Sequence, residues 1–249
     1  MPTVHCDCIE NIFWNCHEQP FDVLSLRSEI DIWKIRISSN LDLIGRFNRI
    51  LPEEEHTKAS RYHHQKDRDR VLISRIALRL LLAKYLNASP SEIKIMIGSN
   101  KKPYLRNAKN FFYNASHSGD FILIAFSNFE VGVDIEEVDE NFSYGEILER
   151  YFSNQEIEFI GKSQKSSENF YLLWTRKEAL LKATSKGIHD DLKLVPATNG
   201  MHISDGQMIG SADSWQVKSF KLHEQYIASV ASPAYGQILT FFDFDAKSF

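Results

Sequence analysis

The sequence predicts an α+β protein, because two kinds of segment recur along its 249 residues. Strand-like segments either alternate apolar and polar residues, as in DIWKIRIS, or are continuously apolar, as in FILIAFS. Helix-like segments contain no breaker and are rich in Leu, Ala, Lys and Glu, as in residues 170–186. Strands are predicted before and after each long helical stretch, which favours a mixed fold.

The first half of the chain gives these elements in order. Residues 1–20 are expected to be a loosely ordered arm, and DIWKIRIS follows as a strand. A long helix is predicted to begin at Pro52, which three acidic residues follow, and to run without Gly or Pro to Leu86. SEIKIMIG is then predicted to be a strand, NKKPYL a loop and FFYNAS the approach to the buried strand FILIAFS.

The second half begins with a strand from Phe129 to Ile135. A short Ser-Asn turn separates it from FILIAFS, so the two strands are expected to form a hairpin. Residues 170–186 follow as a helix. Residues 188–249 are predicted to form short strands, WQVKSFKL, YIASVAS and QILTFFDF, separated by Gly, Asp and Pro. A weak internal echo links the halves at a constant offset, since Leu51, Glu55 and Arg75 recur as Phe152, Glu156 and Arg176.

Composition and charge exclude several classes of protein. The hydrophobic fraction of 43% and the charged fraction of 25% are those of a soluble globular protein. A net charge of −4 argues against a nucleic-acid binder driven by bulk charge, and no apolar run reaches membrane-spanning length. The N-terminus lacks the basic and apolar pattern of a secretory signal. Three cysteines do not make a disulfide framework. We therefore expect a cytoplasmic protein.

Cys6, Cys8 and Cys16 lie near His5 and His17, which raises the alternative of a zinc site. Their spacing is not a common structural zinc pattern, so free thiols are the expected state.

The strongest functional signal is a set of three carboxylates. VGVDIE alternates apolar and other residues, so a strand there places Asp134 and Glu136 on one face. In the predicted helix, a spacing of four places Glu178 and Lys182 on one side. Gly132 indicates close approach of the backbone. Carboxylates and a lysine in this pattern predict a divalent-cation site with a phosphate ligand, since Mg²⁺ prefers oxygen ligands.

Four blocks of sequence carry a resemblance to a known family. Gly132–Glu136 matches G-[IV]-D-[IV]-E, and Trp174–Lys182 matches W-x-x-K-E-x-x-x-K at every fixed position. YNASHS is similar to F-N-x-S-H-S, with Tyr113 in place of Phe, and Lys102–Pro103 matches the end of a G-K-P block. In this order, the blocks resemble those of the Sfp-type phosphopantetheinyl transferases.

The resemblance implies a fold and an activity. Two similar α/β halves are related by a pseudo-twofold axis, and we place them at 21–127 and 128–249, after the arm at 1–20. The implied activity transfers the 4'-phosphopantetheine arm of coenzyme A to a serine of an apo acyl or peptidyl carrier protein, and 3',5'-ADP leaves. Members of the family are usually monomeric. Fatty-acid, polyketide and peptide-synthetase carriers are all compatible with the sequence.

The resemblance also assigns roles to residues. Mg²⁺ would be held by Asp134, Glu136 and Glu178, with Lys182 on the phosphates and Glu178, or alternatively Glu136, as the base. The expected catalytic residues are Glu178, Lys182 and Asp134. Glu156 could assist them or act as a helix N-terminal acid. The residues expected to bind coenzyme A are Lys66, Arg70, Lys101, Lys102, Pro103, Ser116, His117, Lys177 and Lys182.

Two other functions share part of this signal. A magnesium-dependent phosphotransferase acting on another nucleotide would need the acids but not His117 and Lys102. A non-catalytic module that binds coenzyme A or a carrier would tolerate loss of Glu178 or Lys182, yet both are present.

Overall fold

In a computed structural model, the described part of the chain contains two five-stranded sheets, a two-stranded sheet and the helices that cover the larger sheets. The structure describes residues 1–16, 29–98, 100–106, 108, 110–187, 190–234 and 237–249. The strands in this part of the chain are β1 (Thr3–Cys8), β2 (Trp14–Cys16), β3 (Glu29–Arg36), β4 (Ile95–Ile97), β5 (Pro103–Leu105), β6 (Phe112–Ser118), β7 (Phe121–Ser127), β8 (Gly132–Glu137), β9 (Gly200–Ile203), β10 (Trp215–His223), β11 (Tyr226–Pro233) and β12 (Ile238–Asp243).

The α-helices lie between these strands, and the described residues also include four short 3₁₀ segments. The α-helices are α1 (Asp42–Phe47), α2 (Glu53–Ser60), α3 (Gln65–Leu86), α4 (Gly145–Tyr151), α5 (Asn154–Gly161), α6 (Ser166–Thr184) and α7 (Gly206–Ile209). The 3₁₀ segments are Asn48–Ile50, Pro90–Glu92, Asp190–Leu194 and Ala246–Ser248. The mixed composition confirms the predicted α+β class.

The first sheet has the strand order β2-β12-β3-β7-β6, and the second has the order β8-β11-β10-β1-β9. Strands β4 and β5 form a separate antiparallel pair. An apolar core lies between the two sheets, to which β7 contributes Leu123 and Ala125 and β8 contributes Val133 and Ile135. The other face of the first sheet packs against α3, and the other face of the second packs against α6. Because side chains alternate along β8, Asp134 and Glu136 face α6.

The predicted N-terminal arm is wrong for residues 3–8 and 14–16. Residues 14–16 form β2, which pairs with β12 in parallel. Residues 3–8 form β1, which pairs with β10 in parallel and with β9 in antiparallel register. Val4 and Cys6 are fully buried beneath α6. The segment TVHCDC therefore has the alternating pattern of a strand, but only these two residues of the pattern are buried. Residues 17–20 of the predicted arm lie outside the described residues.

The long helix predicted from Pro52 to Leu86 is divided into α2 and α3. The division allows Glu55 of α2 to form an ion pair of 3.1 Å with Arg79 of α3. In one continuous helix these residues would be about 36 Å apart, at about 1.5 Å per residue. No Gly or Pro marks the break between α2 and α3, so the absence of helix breakers did not reveal it.

The predicted hairpin of FILIAFS with the following strand is also wrong. Strand β7 pairs with β3 on one side and β6 on the other, whereas β8 pairs with β11 in the second sheet. The segment between β7 and β8 therefore connects the two sheets. Two smaller differences are that NKKPYL, predicted as a loop, contains β5, and that FFYNAS belongs largely to β6.

The first and last parts of the described chain cross between the sheets. Strand β1 lies within the second sheet, and β12 lies within the first, between β2 and β3. The division of the chain at residues 127 and 128 into two halves stays a prediction, since each sheet contains strands from both sides of it.

Candidate active site

The close packing of β8 against α6 brings the predicted acids together. A Cβ atom added at Gly132 would clash with the carbonyl oxygen of Ala179 and the backbone nitrogen of Ala183. Glycine is therefore required at this point, as its position in the strand predicted. The approach places the acid-bearing face of β8 beside Glu178 and Lys182 of α6.

Asp134 lies at the centre of the site and is 2% exposed. Its Oδ1 accepts hydrogen bonds from Lys182 Nζ at 2.5 Å and from Ser116 Oγ at 2.8 Å. Lys182 Nζ also donates to Ser116 Oγ at 3.0 Å. Burial opposes the positive charge of Lys182, but attraction to Asp134, with smaller contributions from Glu178 and Glu136, raises the pKa of the ammonium. The lysine is therefore charged in this site.

Two further carboxyl groups are crowded against Asp134. Burial, followed by the charge of Asp134, raises the pKa of Glu136 from 4.5 to about 7. The same two causes raise the pKa of Glu178 from 4.5 to about 7, against the attraction of Lys182. Three acids in one buried place repel one another, so the site stabilises an added positive charge.

The donors fit a hard divalent cation in chemistry but are not a preformed cage. Asp134 Oδ2 is buried and has no hydrogen-bond partner. Within the part of the chain that the structure describes, no group of three or more His, Cys, Asp or Glu side chains is already arranged around a metal position. Lys182 Nζ lies where a cation would contact Asp134 Oδ1. Because Mg²⁺ takes few protein ligands and retains water, the unpartnered Oδ2 and the adjacent acids suffice as a binding face.

A cavity of about 340 Å³ opens over these groups. A second cavity, of about 210 Å³, shares Glu178 and Lys182 with it and reaches Lys101, Lys102 and Pro103. The two cavities therefore meet at the acid and the lysine of α6. The first is lined by Ala115, Ser116, His117, Asp134, Glu136, Trp174, Glu178 and Lys182.

A larger cavity of about 530 Å³ continues from the first through Ala115 and His117. Cationic side chains line it, namely Lys58, Arg61 and Arg75. Desolvation, followed by the charges of Arg70, Lys182 and Arg75, lowers the pKa of His117. So many cations around one imidazole make this end of the cavity suited to an anionic ligand such as a phosphate.

Three of the residues expected to bind coenzyme A, Lys101, Lys102 and Pro103, lie at the turn between β4 and β5. Lys101 is exposed with a φ of 61°, and Pro103 begins β5. Lys102 Nζ donates to the carbonyl oxygen of Ala183 at 2.6 Å, at the C-terminal end of α6. Burial lowers the pKa of Lys102. This lysine connects the β4–β5 pair to the helix that carries Glu178 and Lys182.

Lys177 is the predicted site residue that the structure places elsewhere. Its side chain is fully buried, and Nζ bonds to the carbonyl oxygens of Leu192 and Val195 at 3.0 and 2.5 Å and to Glu156 at 3.0 Å. The expectation that Lys177 binds coenzyme A is therefore wrong, because its side chain points into the protein interior between Glu156 and the carbonyl oxygens of Leu192 and Val195. Glu156 has a structural role as well, since it forms a capping box with Ser153 at the start of α5.

Lys66 does not line the cavities described above, and Arg70 contributes through its charge beside His117 while pairing with Asp67 at 2.9 Å. Sequence reasoning missed Arg61 and Arg75 as lining residues. Arg75 had been noted only as the counterpart of Arg176 in the internal echo. Asn114 and Ser118 were also missed, although both lie in the YNASHS block.

The part of the chain that the structure describes contains no helix long and apolar enough to cross a membrane. Cys6 and Cys8 are free thiols, the first buried and the second exposed. The predicted zinc alternative at the N-terminus includes His17, which lies outside the described residues.

Comparison with known proteins identifies the family. A model of the 4'-phosphopantetheinyl transferase superfamily matches residues 130–231, and a model of the N-terminal part of 4'-phosphopantetheinyl transferases matches residues 40–128. A Synechocystis sp. protein named as a 4'-phosphopantetheinyl transferase is 34% identical over 183 residues, which are 71% of this chain and 74% of that protein. The chain belongs to the 4'-phosphopantetheinyl transferase superfamily.

More distant relatives cover a larger share of the chain. The 4'-phosphopantetheinyl transferase Sfp of Bacillus subtilis is 27% identical over 208 residues, 80% of this chain and 91% of Sfp. The transferase HetI of Nostoc sp. is 25% identical over 224 residues, 88% of this chain and 93% of HetI. The resemblance drawn from the four sequence blocks is confirmed, and the chain is a 4'-phosphopantetheinyl transferase.

Proposed function

We propose that this transferase is magnesium-dependent and that Asp134, Glu136, Glu178 and Lys182 form its reaction centre. The observation that carries the proposal is the arrangement of the cavities around these residues. The cavity over all four residues shares Glu178 and Lys182 with a second cavity, and it adjoins the larger cationic cavity at Ala115 and His117. Coenzyme A is long and carries a 3'-phosphate, a pyrophosphate and a pantetheine arm. A cationic cavity continuous with an acid and lysine centre offers separate places for these parts.

In this proposal the side chains divide the chemistry. Asp134, Glu136 and Glu178 would hold Mg²⁺, which when bound neutralises phosphate charge and orients the oxygens. Lys182 contributes a fixed positive charge where the pyrophosphate bond breaks. The electron pair of that bond leaves on 3',5'-ADP, and the serine oxygen of the carrier bonds to the released phosphorus. Glu178 is the first choice to accept the serine proton, and Glu136 is the alternative.

The remaining predicted contacts belong to the nucleotide. His117, with Ser116 beside it and Arg70 and Arg75 nearby, would bind the 3'-phosphate. Lys101, Lys102 and Pro103 would line the adenine end. We further propose that the enzyme acts as a monomer in the cytoplasm, since the family resemblance implies a monomer and an odd number of cysteines suits a reducing compartment.

A transfer assay tests the proposal. The protein is mixed with coenzyme A, Mg²⁺ and an apo carrier domain, and the carrier is examined for a mass gain of one phosphopantetheine. We expect modification that stops in excess chelator and returns with Mg²⁺ or Mn²⁺. Undiminished modification in excess chelator would contradict the metal assignment.

Two controls separate the competing functions. Glu178→Gln removes a charge while keeping the shape of the side chain, and should abolish transfer without abolishing coenzyme A binding. Binding of coenzyme A by the unmodified protein with no transfer to fatty-acid, polyketide or peptide-synthetase carriers would instead favour a non-catalytic module. Turnover of another nucleotide without a carrier would favour the other class of phosphotransferase.

A further inference from the structure

Strands β6 and β8 run side by side without belonging to the same sheet. In the described part of the chain, β6 is the last strand of the first sheet and β8 is the first strand of the second. Each therefore presents a row of backbone groups that no neighbouring strand pairs. Buried or half-buried backbone donors require partners, and a free strand edge is where they are most often lacking.

Side chains of β6 meet this requirement at alternate positions. Asn114 Oδ1 accepts the backbone N–H of Val133 at 2.8 Å, and Ser118 Oγ accepts the backbone N–H of Glu137 at 3.0 Å. Val133 and Glu137 are four residues apart, so their N–H groups lie on the same edge of β8. We call Asn114, Ser116 and Ser118 the seam.

The same side chains also bond to the acids of β8. Ser116 Oγ donates to Asp134 Oδ1 at 2.8 Å, and Ser118 Oγ donates to Glu136 Oε2 at 2.8 Å. Ser118 thus fixes Glu136 from two directions, because it bonds to the carboxylate and to the next backbone N–H. The period of two along β6 matches the period of two along β8.

The geometry points to Ser118 and Asn114 as positioning residues that join β8 to β6 and so orient Glu136 and Asp134 toward the ligand. Between them on β6, Ala115 and His117 line the cavity assigned to the nucleotide. One strand therefore presents the anion-binding histidine and holds the acids of the other sheet in register. This inference rests on the proposed function for its consequence in catalysis, but not for its structural content.

A matched pair of variants at position 118 tests the inference. Thr has a hydroxyl group and Val has nearly the same shape without one, so Ser118→Thr should retain both hydrogen bonds and Ser118→Val should lose them. Hydrogen exchange of the Glu137 amide should be faster in the Val variant than in the Thr variant. The affinity of the protein alone for Mn²⁺, measured by electron paramagnetic resonance, should fall roughly tenfold to a hundredfold in the Val variant only.

Kinetics supply a third readout. The Mg²⁺ concentration for half-maximal turnover should rise in Ser118→Val, while the affinity for 3',5'-ADP measured without metal stays unchanged. A general loss of stability would instead alter both. Equal amide exchange and equal Mn²⁺ binding in the Thr and Val variants would overturn the positioning role.

Asn114→Leu provides an independent measurement if Ser118→Val does not fold. Its Val133 amide should exchange faster than in the unmodified protein, and an unchanged rate would overturn the inference. Failure of the unmodified protein to transfer phosphopantetheine would contradict the proposed function. The amide measurements would still test whether Asn114 and Ser118 join β6 to β8.

Discussion

The two predicted halves of the chain have similar contacts around their long helices, α3 and α6. In the first, Glu55 is the third residue of α2 and pairs with Arg79 of α3, whose Nη1 also donates to the Ile93 carbonyl oxygen at 2.7 Å. In the second, Glu156 is the third residue of α5 and pairs with Lys177 of α6, which also donates to main-chain carbonyl oxygens. Each pair fixes a short helix, a long helix and a downstream segment to one another.

Each half also contains a buried aspartate on the strand beneath its long helix. Asp31 of β3 accepts a hydrogen bond of 2.5 Å from the Tyr85 hydroxyl of α3, whereas Asp134 of β8 meets the Lys182 ammonium of α6. At the offset of the internal echo, Glu178 and Lys182 correspond to Ala77 and Leu81.

Those two counterparts lie in the apolar core of the first half. The comparison teaches that these similar contacts alone do not make a reaction centre. The buried aspartate of the second half contacts the Lys182 ammonium, whereas that of the first half contacts the Tyr85 hydroxyl. The second half also has Glu136 and Glu178 and a cavity above them.

The largest expected effect is the difference in transfer rate between variants of Asp134 and of Asp31. Asp134→Asn should reduce transfer by roughly 10³- to 10⁵-fold, the range seen when a charge that stabilises phosphoryl transfer is lost. Asp31→Asn should leave turnover nearly unchanged because its side chain faces the core. Steady-state rates with an apo carrier measure both, and circular dichroism confirms that both variants fold. Equal losses in the two variants would remove the distinction between the halves.

The second effect concerns stability. Lys177→Ala should destabilise the protein by about 3–5 kcal/mol, because it leaves Glu156 buried without its partner. Denaturant unfolding gives the free energy. Lys162→Ala is the control, since Lys162 pairs with Glu158 on the surface and should change little. A stable Lys177→Ala variant that had lost only coenzyme A affinity would restore the original expectation that this lysine binds coenzyme A.

The third effect is a dependence of stability on pH. Burial, against the hydrogen bond from Tyr85, raises the pKa of Asp31 from 3.8 to about 6. The folded state therefore binds this proton more tightly than the unfolded state, and the contribution of Asp31 to stability grows as the pH falls from about 6 toward 4. The Asp31→Asn variant has no carboxyl group at this position, so this proton-binding equilibrium is absent from it. The difference in unfolding free energy between the two proteins should change by up to about 3 kcal/mol between pH 7 and pH 4.

A constant difference across that range would show that Asp31 ionises at its ordinary pKa in the folded protein. The same measurement on the Asp134→Asn variant is complicated by the neighbouring acids, so the first half is the cleaner place for the test.

The smallest expected effect is the difference in affinity between coenzyme A and its 3'-dephospho form. Coenzyme A should bind roughly tenfold to a hundredfold more tightly than its 3'-dephospho form, since a charge-assisted contact contributes about 1.5–3 kcal/mol. His117→Ala should remove most of that ratio, while Lys66→Ala, which alters an exposed lysine outside the cavities, should preserve it. Calorimetry measures the affinities. A ratio unchanged in His117→Ala would transfer the role to Arg70 and Arg75.

Sequence reasoning was most successful where the signal was local. The α+β class, the helix that carries Glu178, the strands at 215–243 and the close approach at Gly132 follow from periodicity, composition or the special geometry of glycine. Pairing between distant segments was not predictable in the same way. The second sheet contains β1 because its partners lie near residues 200 and 215, and nothing in TVHCDC specifies them.

Side-chain direction was the other missing information. Lys177 and Lys182 are both polar residues near Glu178, yet only Lys182 faces the cavity. The burial of Lys177 depends on a glutamate 21 positions earlier and on carbonyl groups of residues 192 and 195, which a helix pattern does not reveal. Likewise, the serines of YNASHS were known as part of a motif, but their contacts with β8 required two sheets to be placed side by side.

The location of β1 has a consequence for biosynthesis. Residues 3–8 are translated long before the strands that flank them, β9 and β10, which begin at Gly200 and Trp215. The second sheet therefore cannot close while most of the chain is being translated, and the apolar side of β1 must wait for its neighbours. Such long-range pairing slows folding and prolongs exposure of unpaired edges. Slow final closure, rather than helix formation, is thus expected to limit the yield of this protein when it is produced rapidly.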